Sequence, residues 1–109
     1  MSDIEELEVS LDYVKSLVEK RDQALKLTSN REYKKLVLEG YFKEEASRLA
    51  LLTADPSLRP EMRADVFLSL QGISKMNEYM RYIIIQGNQA ESELKEYEEA
   101  LDEAREEAA

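Results

Sequence analysis

Carboxylates are the most abundant groups in this chain that could do chemistry. The sequence holds 24 Asp and Glu residues but no His, Cys or Trp. Most nucleophilic, redox and transition-metal chemistry depends on His or Cys. Paired carboxylates can act as general acid and base, but Glu39, Glu44 and Glu45, which surround Gly40, come with no pocket signature. We therefore predict no catalytic residue, and expect that the protein is not an enzyme.

The densest carboxylate run lies near the end of the sequence. It comprises Glu91, Glu93, Glu96, Glu98, Glu99, Asp102, Glu103, Glu106 and Glu107. A hard cation needs several oxygens at fixed distance, usually from an Asp-rich loop with an essential Gly, and no such loop is present. Charge runs are usually solvated helix faces. We predict no metal and no cofactor, and we interpret Glu98, Glu99, Asp102 and Glu103 as an acidic surface that could bind a basic protein.

Charge is distributed unevenly along the 109 residues. Residues 1–30 contain seven acidic and four basic residues, residues 83–109 contain nine and two, and residues 31–82 contain eight and nine. The net charge of −9 therefore belongs to two arms around a nearly neutral middle. An acidic chain is repelled by nucleic-acid phosphates and by anionic lipid surfaces. We expect a protein partner, with no direct nucleic-acid binding and no membrane binding.

Composition and periodicity predict an all-α protein. Three Gly and two Pro leave few breaks in a chain rich in good helix formers. We predict one helical domain of three to four helices that form a helical bundle or a coiled-coil-like assembly. Within it, residues 1–30 and 83–109 are acidic heptad arms and residues 31–82 are the core.

The first arm has the form of a pairing helix. Ser2 and Glu5 have the spacing of a capping box, which predicts a helix start. Seam positions then recur at alternating spacings of three and four: Ile4, Leu7, Leu11, Val14, Val18, Arg21, Leu25 and Thr28. We predict that the first five bind a partner helix and that Arg21 weakens the seam. Packing in a bundle and packing in a two-stranded coil both fit this pattern.

A second helix is predicted from Ser29, which repeats the capping-box spacing with Glu32. Its apolar residues, including Leu49, cover a broad face, which indicates the core. Gly40 interrupts this helix, and either close packing or a local break would explain it. Pro56 and Pro60 predict a turn, with Pro60 at the first position of the next helix.

The third predicted helix carries the clearest periodicity. Its seam is Val66, Leu70, Ile73, Asn77, Met80 and Ile84, and it is followed by Ala90, Leu94, Tyr97, Leu101, Ala104 and Ala108. Gly87 lies between the two parts, and we favour one continuous helix through it. Asn77 fixes register if it pairs within a seam, or else it bonds locally.

Further candidate partner-binding residues lie on this helix. They are Asn77, Tyr79 and Tyr82, where aromatic and Met side chains cluster, together with Leu94, Tyr97 and Leu101 of the second arm. The longest apolar run, residues 82–85, is far shorter than the roughly 20 residues of a membrane span. The acidic start lacks the pattern of a secretory signal. We therefore expect a cytoplasmic protein.

The middle segment resembles small helical proteins encoded by tailed bacteriophages. The resemblance covers roughly residues 31–56 and rests on the Gly-Tyr-Phe-Lys-Glu-Glu-Ala stretch from Gly40 and on the Leu-x-x-Ala-Asp-Pro turn from Leu51. It implies a virion component or assembly factor located in the infected host cell or in the virion. The rival hypothesis, based on the charge of −9, is an acidic inhibitor that binds a basic surface of a host or defence nucleic-acid enzyme.

Overall fold

The computed structural model describes residues 3–109, and within that range all regular secondary structure is helical. The protein is therefore all-α, as predicted. The elements are α1 (Asp3–Thr28), α2 (Arg31–Tyr33), a π-helical segment (Lys34–Glu45), α3 (Ala46–Thr53) and α4 (Pro60–Ala108). The backbone stays helical without interruption from Arg31 to Thr53. α4, with 49 residues, continues through Gly87, which confirms the predicted continuity.

Local signals explain where these helices begin. The predicted cap Ser2 lies outside the described residues; in the first turn of α1, Asp3 and Glu5 place negative charge near the positive end of the helix dipole. The cap before α2 is Asn30, not Ser29 as predicted, because the Asn30 side chain accepts a hydrogen bond from the backbone N–H of Tyr33 at 2.8 Å. α4 begins at Pro60, as predicted, where a missing N–H costs nothing.

Gly40 lies inside the π-helical segment, so the helix is not broken there. A Cβ added at Gly40 would lie 3.1 Å from the carbonyl oxygen of Lys35, which is tighter than ordinary van der Waals contact. Lys35 precedes Gly40 by five residues, the spacing of a π-helical turn. The absence of a side chain thus relieves crowding against the wider helix's own backbone. Sequence periodicity did not predict this π-helical segment.

Arg63 of α4 holds the turn that follows α3. Its guanidinium donates hydrogen bonds to the backbone carbonyl oxygens of Thr53, Asp55 (3.0 Å) and Leu58 (3.4 Å). These carbonyls include one that the end of α3 leaves without a helical partner. The Asp55 carboxylate accepts from the hydroxyl and backbone N–H of Ser57, which lowers the pKa of Asp55. The Pro-containing turn is therefore fixed by polar contacts.

Tertiary contacts divide the chain into two units. Unit 1 consists of the chain up to Leu25 together with Tyr82–Ala109, and unit 2 is Lys26–Arg81. The core of unit 1 contains Leu11, Val14, Ala24, Ile83, Ala90 and Leu101. In unit 2, all of which the structure describes, only Leu49 and Ile73 are buried apolar side chains.

Two seam positions differ from the predicted register. In α1 the structure buries Ala24 and exposes Leu25, and in α4 it buries Ile83 more deeply than Ile84. The step from Arg21 to Ala24 is three residues where the heptad pattern required four. A step of three that follows another three is a stammer, which shifts the buried face around the helix. The sequence prediction continues the alternating spacings of three and four residues from the start of the helix, so it misses this shift.

Candidate interaction surfaces

Unit 1 is an antiparallel pair of helices. Glu8, near the start of α1, accepts a hydrogen bond from Arg105, near the end of α4, at 3.1 Å. Further along, Arg21 of α1 donates to Asn88 of α4 at 3.0 Å. Contacts at both ends of the paired segments therefore bring the two acidic arms together. Each apolar seam has a partner within the chain.

The structure buries part of the predicted partner-binding set inside this helix pair. Leu11, Val14 and Leu101 are buried, whereas Ile4, Leu7, Val18, Leu94 and Tyr97 are half-buried. Leu7 and Tyr97 line a shared groove together with Glu93, Glu96 and Ala100. The side chains of Leu11, Val14 and Leu101 are thus covered by their own chain and do not form an open docking surface.

Arg21 bonds to three side chains, two of them on the facing helix α4. It is buried, and its guanidinium donates to Asn88, Glu91 and Asp22. The hydrogen bonds to Glu91 and Asp22 raise the pKa of Arg21, and the bond from Arg21 holds the pKa of Glu91 below its ordinary value. The predicted weak point of the α1 seam is therefore an interhelical ion pair.

Gly87 makes room for Arg21. A Cβ added at Gly87 would lie 2.0 Å from the Cβ of Arg21, closer than nonbonded atoms can approach. The aliphatic stem of Arg21 packs against the bare backbone of α4, while the charged head reaches Asn88 and Glu91. Sequence reasoning missed this site, although an Arg in one seam and a Gly in the other were a usable signal.

The four predicted acidic-surface residues are all exposed. Glu98, Asp102 and Glu103 have no ion pair within residues 3–109, and Glu99 lies 4.0 Å from Lys95. Exposed pairs at such distance contribute little. Across the described residues, no three His, Cys, Asp or Glu side chains are placed to hold a metal ion. The acidic surface is therefore exposed to solvent.

Unit 2 leaves much of its apolar surface uncovered. Nine large apolar side chains in this unit are exposed: Leu27, Leu36, Tyr41, Leu51, Met62, Phe67, Leu68, Met76 and Tyr79. Asn77 is half-buried on α4. In unit 1, Tyr82 is exposed and its hydroxyl accepts from Gln86 at 2.6 Å. Exposed apolar groups that share a helix face are typical of surfaces that bind other proteins.

Comparison with protein-family models, curated protein sequences and solved structures finds no match to this chain. In residues 3–109, no helix is both long enough and apolar enough to cross a bilayer.

Proposed function

We propose that this protein is a non-enzymatic helical protein-interaction module that associates with copies of itself. The observation that carries this proposal is the composition of unit 2, where only Leu49 and Ile73 are buried but nine large apolar side chains are exposed. Burial of apolar side chains is the main driving force of association. Copies that pack through unit 2 would complete its core as a coiled-coil-like assembly.

The narrower form of this proposal is a virion component or particle-assembly factor of a tailed bacteriophage, located in the infected cytoplasm or in the virion. Its support is the resemblance of residues 31–56 to small helical phage proteins; the comparisons add none. Affinity purification of the tagged chain from infected cells, followed by mass spectrometry, tests it. Capsid, portal or tail proteins are the expected partners. Recovery of cellular enzymes alone would contradict the assembly role.

The second candidate is an acidic inhibitor of a basic nucleic-acid enzyme. The observation that favours it is the exposed acidic surface formed by Glu98, Glu99, Asp102 and Glu103. Carboxylates presented along a helix can occupy positions that phosphates would take on a basic protein. Screening beyond about 8 Å at physiological ionic strength makes such a complex sensitive to salt.

A matched pair of charge variants tests the inhibitor proposal. One variant neutralises the acidic surface through Glu98→Gln, Glu99→Gln, Asp102→Asn and Glu103→Gln. The control removes the same charge from scattered exposed positions: Asp12→Asn, Glu19→Gln, Glu32→Gln and Glu44→Gln. Inhibition predicts that only the first variant loses a salt-sensitive complex with a basic enzyme captured from cells. If both variants bind the basic enzyme equally well, the acidic surface serves only to keep the protein soluble.

A further inference from the structure

Gly72 lies in the interior of α4 at an exposed position, and nothing within unit 2 explains it. A Cβ added there would meet no heavy atom within 4 Å. Glycine is a poorer helix former than alanine, and the chain itself leaves room for a side chain at this position. Gly87, by contrast, is required by Arg21. A Gly on an open helix surface is useful where another backbone or a bulky side chain approaches closely.

The surface around Gly72 is a notch flanked by exposed apolar side chains. Leu68, one turn earlier on α4, is 64% exposed, and Tyr79, two turns later, is 53% exposed. Gly72 also lines a groove whose opposite wall carries Tyr41 and Arg48. The exposed Leu68 and the notch at Gly72 are four residues apart on α4. At a rise of 1.5 Å per residue, they lie about 6 Å apart along the helix axis.

This surface is complementary to itself. If two α4 helices cross antiparallel with residue 70 at the two-fold axis, Leu68 of each copy lies at the level of Gly72 of the other. In the same arrangement Asp65 lies at the level of Lys75. Both charged residues are exposed, and Lys75 has only an exposed partner on its own helix, Glu78 at 3.3 Å. A two-fold contact requires each surface to match itself in this way.

We propose that a second copy of this chain docks on this face, with Leu68 of each copy seated in the notch at Gly72 of the other. Asp65 and Lys75 bracket the contact and fix its antiparallel register, and Tyr79 extends the apolar area. The inference rests on the proposed self-association and names its surface. A bulky side chain at Gly72 fills the notch and excludes the partner's Leu68, and its Cβ has no heavy atom within 4 Å apart from the local helix backbone.

Sedimentation equilibrium of full-length variants tests this surface. Gly72→Leu is expected to raise the dissociation constant of self-association at least about ten-fold, equivalent to about 1.4 kcal/mol. The control, Ser74→Leu, adds the same side chain at an exposed α4 position on another side of the helix and should leave the constant unchanged. If the wild type associates but Gly72→Leu behaves like Ser74→Leu, the docking surface is wrong and self-association stands. A wild type that stays monomeric overturns both.

Charge exchange tests the register independently of packing. Asp65→Lys and Lys75→Asp each place like charges at the same level in the antiparallel pair, and each should weaken association. The double variant restores opposite charges and should return the dissociation constant to within about three-fold of the wild type. Such a recovery is expected when two residues interact directly, because their effects are then not additive. Additive losses in the double variant would overturn the register. Circular dichroism of each variant reports whether helix content is retained.

Discussion

The stem of Arg21 packs directly on Gly87, so that a Cβ on α4 at this position would lie 2.0 Å from the Cβ of Arg21. This contact joins the two acidic arms at the point where the guanidinium reaches Asn88 and Glu91. It explains how an Arg can occupy a seam position of α1. The apolar stem is buried, and the charge is satisfied at the edge of the helix pair.

Gly87→Ala and Gly72→Ala should change stability in opposite directions. Gly87→Ala forces Arg21 or the helix backbone to move, and we expect a loss of about 1–3 kcal/mol in the free energy of unfolding, typical of overpacking. Gly72→Ala meets no atom and should stabilise the monomer by about 0.4–1 kcal/mol. Urea unfolding monitored by circular dichroism at low protein concentration measures both. Stabilisation by Gly87→Ala would show that the Arg21 contact is misplaced.

Glu91→Gln should remove a pH-dependent part of the stability. The hydrogen bond from Arg21 holds the pKa of Glu91 below its ordinary value of 4.5. A carboxyl whose pKa is lowered by folding stabilises the protein above its ordinary pKa, and that stabilisation is lost as pH falls through the lowered value. The difference in unfolding free energy between the wild type and Glu91→Gln should therefore be constant near neutral pH and shrink below pH 4.5.

Thermal unfolding of both proteins across this pH range, with Glu98→Gln as the exposed control, checks the prediction. Glu98 has no ion pair among the described residues. A wild-type advantage over Glu91→Gln that grows as the pH falls below 4.5 would contradict the role of Arg21.

Leu49 and Leu51 of α3 form a matched pair for locating the core of unit 2. Leu49 is 7% exposed and Leu51 is 75% exposed. Leu49→Ala should destabilise the protein by about 2–5 kcal/mol, the range for a buried Leu. Leu51→Ala should change the free energy of unfolding by less than about 0.5 kcal/mol, as at most surface positions. Equal losses in denaturant titrations would show that α3 is turned differently on α4.

Much of the fold follows from the sequence. Helical composition, the seam through Leu11 and Val14, the start of α4 at Pro60 and its continuity through Gly87 were all predictable from local patterns. These features depend on residue propensity and on regular spacing within one helix. Such local consistency makes the presence of helices, and where α4 begins, the most predictable part of this chain.

The remaining features depend on contacts distant in sequence. Ala24 rather than Leu25 is buried because the buried face of α1 shifts after Arg21, and the regular spacing from the helix start does not report that shift. The ion pair between Arg21 and Glu91 joins residues 70 positions apart. A periodic pattern within one helix cannot predict a contact at that separation. The π-helical segment depends on backbone hydrogen bonding that side-chain spacing does not report. The candidate docking surface at Gly72 could be identified only from the structure, which shows which face of α4 is exposed.

Sedimentation equilibrium of the wild-type protein over a concentration series measures self-association itself. The monomer mass is 12.6 kDa. Since a single pair of helices is a small interface, we expect association at concentrations on the order of 100 µM. The weight-average mass should rise with concentration toward twice the monomer value or more. A mass that stays at 12.6 kDa across the series would contradict it.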